Sequence, residues 1–190
     1  MAIMHPVDIE NYTYTQTEKE MYIALRDQLP DKYQVFYSIR WFETNEDNRR
    51  IDSESDFLVF DPSFGFITIE VKGGTGIEVD GKDWILLENY GNGNDGSRKL
   101  NCSPYEQSEK SMRHFHKYFV DEFNQNFNGV YGFAVAFPRY AIDSPLAQEA
   151  PLDITIDVND MNNLKDKINK IFHYWKNKRN IIIPFSAEQR

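Results

Sequence analysis

SDFLVFDPSFGFITIEVKGG, residues 55–74, holds two apolar runs, DFLVF and GFITIEVK, joined through DPSFG. Both runs are rich in β-branched and aromatic residues, and Asp-Pro and Gly are turn formers, so the stretch predicts a β-hairpin. With Phe60 and Phe66 closing the turn, Asp56 falls directly opposite Glu70. Because side chains alternate faces along a strand, Asp56, Leu58 and Phe60 then share a face with Phe66, Thr68, Glu70 and Lys72. Phe57, Val59, Ile67, Ile69 and Val71 point the other way. A slip of one residue would separate the two acids, so the register carries the reading.

Like charges placed opposite each other in a sheet repel. A partly buried pair must be protonated, hydrogen-bonded or matched by a cation. Hard divalent ions such as Mg²⁺ take oxygen ligands, and one or two carboxylates with water and substrate phosphate complete their octahedron. Asp56 and Glu70 supply that number of carboxylates. Lys72 follows on the same face, about 7 Å beyond Glu70. An exposed strand edge with an ordinary charged stripe is the competing reading of the same triplet.

Outward from this hairpin, TQTEKEMYIALRDQLP predicts a helix, with Thr17 and Glu20 as a capping box, Met21, Leu25 and Leu29 in register, and Pro30 as the stop. YQVFYSIRWF (33–42) predicts a strand and ETNEDNRRIDSE an exposed polar connection. GIEVD and WILLE, around Gly81, predict a second hairpin, and NYGNGNDGS a loop. SPYEQSEKSMRHFHKYFVDEF predicts a helix with Ser103 as N-cap, Pro104 first, Glu106 closing a capping box, and Met112, Phe115, Phe119 and Phe123 as its apolar stripe. VYGFAVAF (130–137) reads as a central strand buried on both faces. DITIDV adds a strand, and NNLKDKINKIFHYWKNK a last helix with Leu164, Ile168, Ile171 and Trp175 inward. This order describes an α/β sandwich, a central mixed β-sheet flanked by helices.

At 190 residues and 41% hydrophobic content the chain is expected to form a single domain around one core. It carries no signal pattern and no apolar run long enough to cross a bilayer, which, with Cys102 as its lone cysteine, predicts a cytoplasmic protein. Cys102 itself reads as a small buried or half-buried residue. The net charge of −9 argues against a nucleic-acid partner, yet the charge is unevenly spread. Arg98, Lys99, Lys110, Arg113 and Lys117 cluster within residues 98–119, and six basic residues face Asp166 alone within 162–180. A basic face on an acidic body and two ordinary solvated helix faces both fit this pattern. His114 and His116 are two apart on a helix, whereas a metal pair uses a spacing of four.

Three stretches, TEKEMYIALRDQLPDKYQVF, SESDFLVFDPSFGFITIEVKGGTGI and NCSPYEQSEK, resemble the nuclease-related domain (NERD) family of the PD-(D/E)XK nuclease superfamily, in the family's order over roughly residues 17 to 110. The middle stretch is the specific one. The resemblance implies a restriction-endonuclease-like sandwich and a DNA phosphodiesterase that uses Mg²⁺, with Mn²⁺ as a substitute. It implies Asp56 and Glu70 as metal ligands with the Val71 carbonyl, Lys72 as catalytic lysine, and Gln107 to orient water or substrate. Glu54 matches an acidic position before the aspartate. Glu18 reads either as a glutamate lining the site or as an acid favoured by the helix dipole. Lys110, with Arg98 and Lys99, reads either as a phosphate contact or as a solvated cation. Ser55 stands where the superfamily often has proline, a position that shapes the strand entry. Such domains stand beside helicase modules, so the chain reads either as complete or as the first domain of a longer protein. A catalytically weak DNA-binding or assembly module of the same fold is the alternative.

Overall fold

The computed structural model describes residues 1–44, 50–89, 91, 95–123 and 126–181. Along the chain run β1 (Ile3–His5), α1 (Gln16–Gln28), β2 (Gln34–Thr44), β3 (Arg50–Asp61), β4 (Gly65–Val71), β5 (Gly76–Asp80), β6 (Asp83–Asn89), β7 (Asp95–Lys99), α2 (Pro104–Phe123), β8 (Val130–Phe137), β9 (Thr155–Asp157) and α3 (Leu164–Lys178). Six strands make one sheet in the order β1-β2-β3-β4-β8-β9, and β5-β6-β7 make a second. The large sheet is mixed: β2, β3 and β4 pair antiparallel, whereas β1 with β2, β4 with β8 and β8 with β9 are parallel. Its packing against three helices is that of a restriction-endonuclease-like core.

The decisive hairpin forms in the expected register, with Phe60 opposite Phe66 and Phe57 opposite Ile69. Alternation then sorts the layers. Thr68 binds Ser108 of α2, Tyr131 of β8 stacks on His116, and Phe137 meets the Tyr105 ring at a tilt, so α2 covers this face. On the other face Phe57, Ile67, Ile69 and Ala134 are fully buried beneath α1 and α3. A large apolar side chain so buried contributes about 1.5–3 kcal/mol. Gly132 lets α3 close on the sheet, since a Cβ there would meet the Trp175 ring at 2.2 Å.

Several local expectations change. The capping box of α1 is formed by Thr15 and Glu18, two residues before Thr17 and Glu20, because Thr15 is the residue with extended backbone geometry. β1 was not legible: three residues are too few to show a period, and parallel pairing with β2 makes them a strand. Residues 50–54, expected in a polar connection, pair with β2 as the front of β3, where ladder hydrogen bonds to one partner suffice without an apolar pattern; residues 45–49 of that connection lie outside the described residues. Asp95–Lys99, expected partly as loop, is the exposed edge strand of the small sheet, and residues 90 and 92–94 of that loop are likewise outside. Ser103 caps α2 through the Tyr105 amide at 3.2 Å, one residue short of the capping-box amide of Glu106. Met112, Phe115 and Phe119 face the core as expected, and the Phe123 side chain lies outside the described set. β8 is interior, between β4 and β9. Cys102 is exposed, because it lies in the short link from β7 to α2.

Candidate active site

Where β3 and β4 part, the ladder stops one step short of Asp56 and Glu70. The Val71 amide, freed from strand pairing there, donates instead to Asp56 Oδ2 at 2.7 Å. On the other flank of Asp56, pairing with β2 passes from Tyr37–Phe57 to Ile39–Ser55. Between them Ser38 has a φ of 53°, uncommon for a residue with a Cβ. Asp56 therefore sits where two ladders open, half-buried at the mouth of a cleft.

Glu70 is 2% exposed. Lys72 Nζ donates to its Oε1, while Oε2 is buried with no hydrogen-bond partner among the described residues. The same ammonium donates to Gln107 Oε1 at 3.1 Å. Gln107 is set by the first turn of α2, where its amide bonds the Ser103 carbonyl, and Thr68 pins that turn by donating to Ser108 O at 2.8 Å. Thus the strand that bears Glu70 and Lys72 also positions the helix that bears Gln107. Glu18 Oε2 accepts from the Thr15 amide at 3.2 Å and from Tyr37 Oη at 2.7 Å. Both readings of Glu18 coincide in one residue: it caps α1 and lines the cleft.

The cleft has a volume of about 480 Å³. Glu18, Asp56, Glu70, Val71, Lys72, Gln107 and Arg98 line it, as do Gly73 and Gly74, which lead into the small sheet. Gly74 has a φ of 85°, and a Cβ there would lie 2.3 Å from the Leu87 carbonyl, so glycine is required for β6 to wall the cleft. Three of the sequence candidates stand elsewhere. Lys99 pairs with Asp83 at 2.6 Å, and Lys110 reaches Ser53 at 3.4 Å on the next turn of α2; neither lines the cleft. Glu54 binds Ser38 Oγ at 2.5 Å and Arg40 at 3.3 Å, outside the lining. His114 stacks on Trp41 and His116 on Tyr131, so each belongs to its own aromatic contact.

A buried residue that supports the cleft and a residue of its lining escaped the sequence reading. Tyr37 holds Glu18, and Arg139 lines the rim in a two-pronged pair with Glu20 at 3.1 and 2.8 Å. Arg139 had a signal: it follows a strand parallel to β4, and ligands of open α/β sheets sit beyond the carboxyl ends of parallel strands. Tyr37 had none, since its tyrosine lies within an apolar run.

The electrostatics are those of two acids with too little to bind. Removal from water holds the Asp56 carboxyl well above its usual range, the Glu70 charge adds to this, and the Val71 amide and Lys72 oppose it. Burial likewise raises Glu70, against the pull of Lys72. An orphaned, buried carboxylate oxygen beside a second carboxylate fits a hard cation. No group of three or more His, Cys, Asp or Glu side chains able to hold a metal is assembled among the described residues.

Together the mixed sheet, its helices and this acid–acid–lysine cleft define a nuclease-like α/β protein. Residues 14–138 match the model of the nuclease-related domain, NERD, and the chain belongs to that family. The matched span contains every cleft residue named above except Arg139. No curated protein and no solved structure matches the chain. A nuclease-related domain implies contact with nucleic acid. No helix among the described residues is long and apolar enough to cross a membrane.

Proposed function

We propose that the chain is a metal-dependent nuclease that hydrolyses DNA phosphodiester bonds, using Mg²⁺ or its substitute Mn²⁺. The observation that carries this reading is the buried Glu70 Oε2, without a hydrogen-bond partner among the described residues, beside Asp56 and with Lys72 on the same face. Asp56 and Glu70, with the Val71 carbonyl, would hold the ion. When bound, it supplies Lewis-acid polarisation of the phosphoryl group and a more acidic water.

The protein's own groups do the positioning. Lys72 gives one hydrogen-bond donor to Glu70 and one to Gln107, among the described residues, which leaves the third of its three ammonium donors for a water or a phosphate oxygen. That charge opposes the negative charge that grows on the phosphoryl oxygens in the transition state. Gln107, which lines the cleft, holds the ammonium in place through its carbonyl oxygen. Glu18, fixed by Tyr37 and the cap of α1, adds a further acid to the lining and reinforces its attraction for cations. Arg98, which lines the cleft and pairs with Glu88 at 3.2 Å, would be the phosphate contact of the small sheet. A helicase module as neighbour rests on the family resemblance alone.

The test is to incubate the purified chain with linear duplex, supercoiled and single-stranded DNA in Mg²⁺, Mn²⁺ or EDTA, beside Lys72→Ala and Asp56→Ala. EDTA and either substitution should lower cleavage on the order of 10²–10³-fold. Cleavage unchanged in either variant would sink the site; DNA binding without cleavage on any substrate would favour the non-catalytic module.

A further inference from the structure

Beyond the cleft, α2 continues as a ridge. Lys110 lies one turn past Gln107, and Arg113 and Lys117 follow along the helix, all three exposed. They line a groove of about 650 Å³ together with His114, Phe42 of β2 and Tyr118. Phe42 is 59% exposed and Tyr118 58%, so two large rings lie more than half open among three cations, of which Arg113 pairs with Glu109 at 2.8 Å. His114, stacked on Trp41 at 4.4 Å and 16°, forms part of the wall between them. Lys110 reaches across to Ser53 of β3, which joins the groove to the strand that carries Asp56. The far end is closed electrostatically by Asp121 and Glu122.

We infer that this groove is the track for a single-stranded nucleic acid running to or from the cleft. The inference deepens the nuclease reading and rests on it for where the strand leads. Gln107 to Lys117 spans about 15 Å at the α-helical rise, a path long enough for more than one phosphate of an extended strand. Cations placed along such a path bind the backbone whatever its sequence. The rings decide strandedness. In a duplex the bases are stacked on each other and offer no face to a protein ring, whereas unpaired bases stack on exposed aromatics. A chain of net charge −9 that gathers lysine, arginine and aromatics on one ridge, beside a cleft built for phosphate chemistry, matches that partner.

Binding is read by fluorescence anisotropy of a labelled oligothymidine, roughly 15 nucleotides long, and of a duplex of equal length, with the full chain in EDTA. The single strand should bind more tightly than the duplex. Tyr118→Ala should weaken single-strand binding about fivefold or more, the loss of one stacked base. Tyr118→Phe should restore it. Lys117→Glu should weaken it comparably and flatten its dependence on salt. Thermal melts equal to the parent confirm that these surface variants fold. Single-strand binding unchanged in both variants, a tighter duplex, or no binding of either probe would overturn the inference. Because EDTA removes any need for cleavage, the two readings fail separately. Binding through the groove without metal-dependent cleavage defeats the nuclease alone, and cleavage with indifferent groove variants defeats the track alone.

Discussion

Asp56 and Asp61 are five residues apart on one strand, each in an apolar setting, and the protein treats them in opposite ways. Asp61 is wholly buried, yet both its oxygens are served: Lys32 Nζ donates to Oδ2 at 2.8 Å and the Ser63 amide to Oδ1 at 2.7 Å. It closes the turn between β3 and β4. Asp56, at the other end of that pairing, receives the Val71 amide and faces a second carboxylate whose Oε2 has no hydrogen-bond partner among the described residues. A satisfied acid holds structure together; an under-satisfied pair is an arrangement that a further positive charge completes. The contrast turns on how much of each carboxylate is already paired rather than on depth of burial.

The strongest way to break this comparison is to neutralise each acid in turn. Asp56→Asn keeps an acceptor for the Val71 amide, so it should fold, while DNA cleavage falls on the order of 10²–10³-fold. Asp61→Asn should leave the cleavage rate per folded molecule unchanged. Equal losses of activity in the two variants would erase the distinction. Next, Asp61→Ala should cost about 2–3 kcal/mol in urea unfolding, since it strands a buried turn amide and removes the partner of Lys32. A cost below about 0.5 kcal/mol, ordinary for a surface change, would contradict the role given to Asp61.

Gln107→Ala tests how Lys72 is held. Loss of one neutral contact to the ammonium should lower cleavage about tenfold, near 1.4 kcal/mol, with DNA affinity in EDTA little changed. A matching drop in affinity would mark Gln107 as a binding residue instead.

The smallest effect is the most specific to unpaired acids. Folding raises the Asp56 and Glu70 carboxyls above their ordinary 3.8 and 4.5, so over that window the folded state holds protons the unfolded state has lost. Stability without metal must then fall as pH rises from those ordinary values through the raised ones. Carboxylates such as Glu20, lowered by Arg139, act with the opposite sign, so the informative quantity is the difference between parent and variant. Asp56→Asn, which carries no such charge, should melt higher than the parent at pH 7 in EDTA, by about 2–4 °C for each kcal/mol relieved. The gap should close toward pH 4. An Asp56→Asn protein that melts lower at pH 7 would mean the carboxylate is better solvated than its setting suggests.

Much of this architecture was legible along the chain. Period-two alternation and the DPSFG turn placed Asp56 and Glu70 in register, and apolar stripes marked all three helices. Those signals are local, because hydrophobic period and turn chemistry act over a few residues. The misses were equally physical. β1 and β7 are strands by virtue of a neighbour, and the cap of α1 moved two residues because backbone geometry, rather than residue type alone, selects the capping threonine. Lys99 and Lys110 looked like cleft cations by proximity in sequence, yet one turned to Asp83 and the other to the next turn of a helix.

By itself the sequence determined an α/β sandwich and a hairpin whose two acids and lysine share a face, since strand periodicity imposes that whatever surrounds it. Only the tertiary structure decided that Gln107 reaches Lys72, that Tyr37 fixes Glu18, that Arg139 joins the rim and that Glu70 keeps one oxygen unpaired. Each of these depends on a partner from another element, and the parallel pairing of β4 with β8 and the docking of α2 on Thr68 bring those partners together.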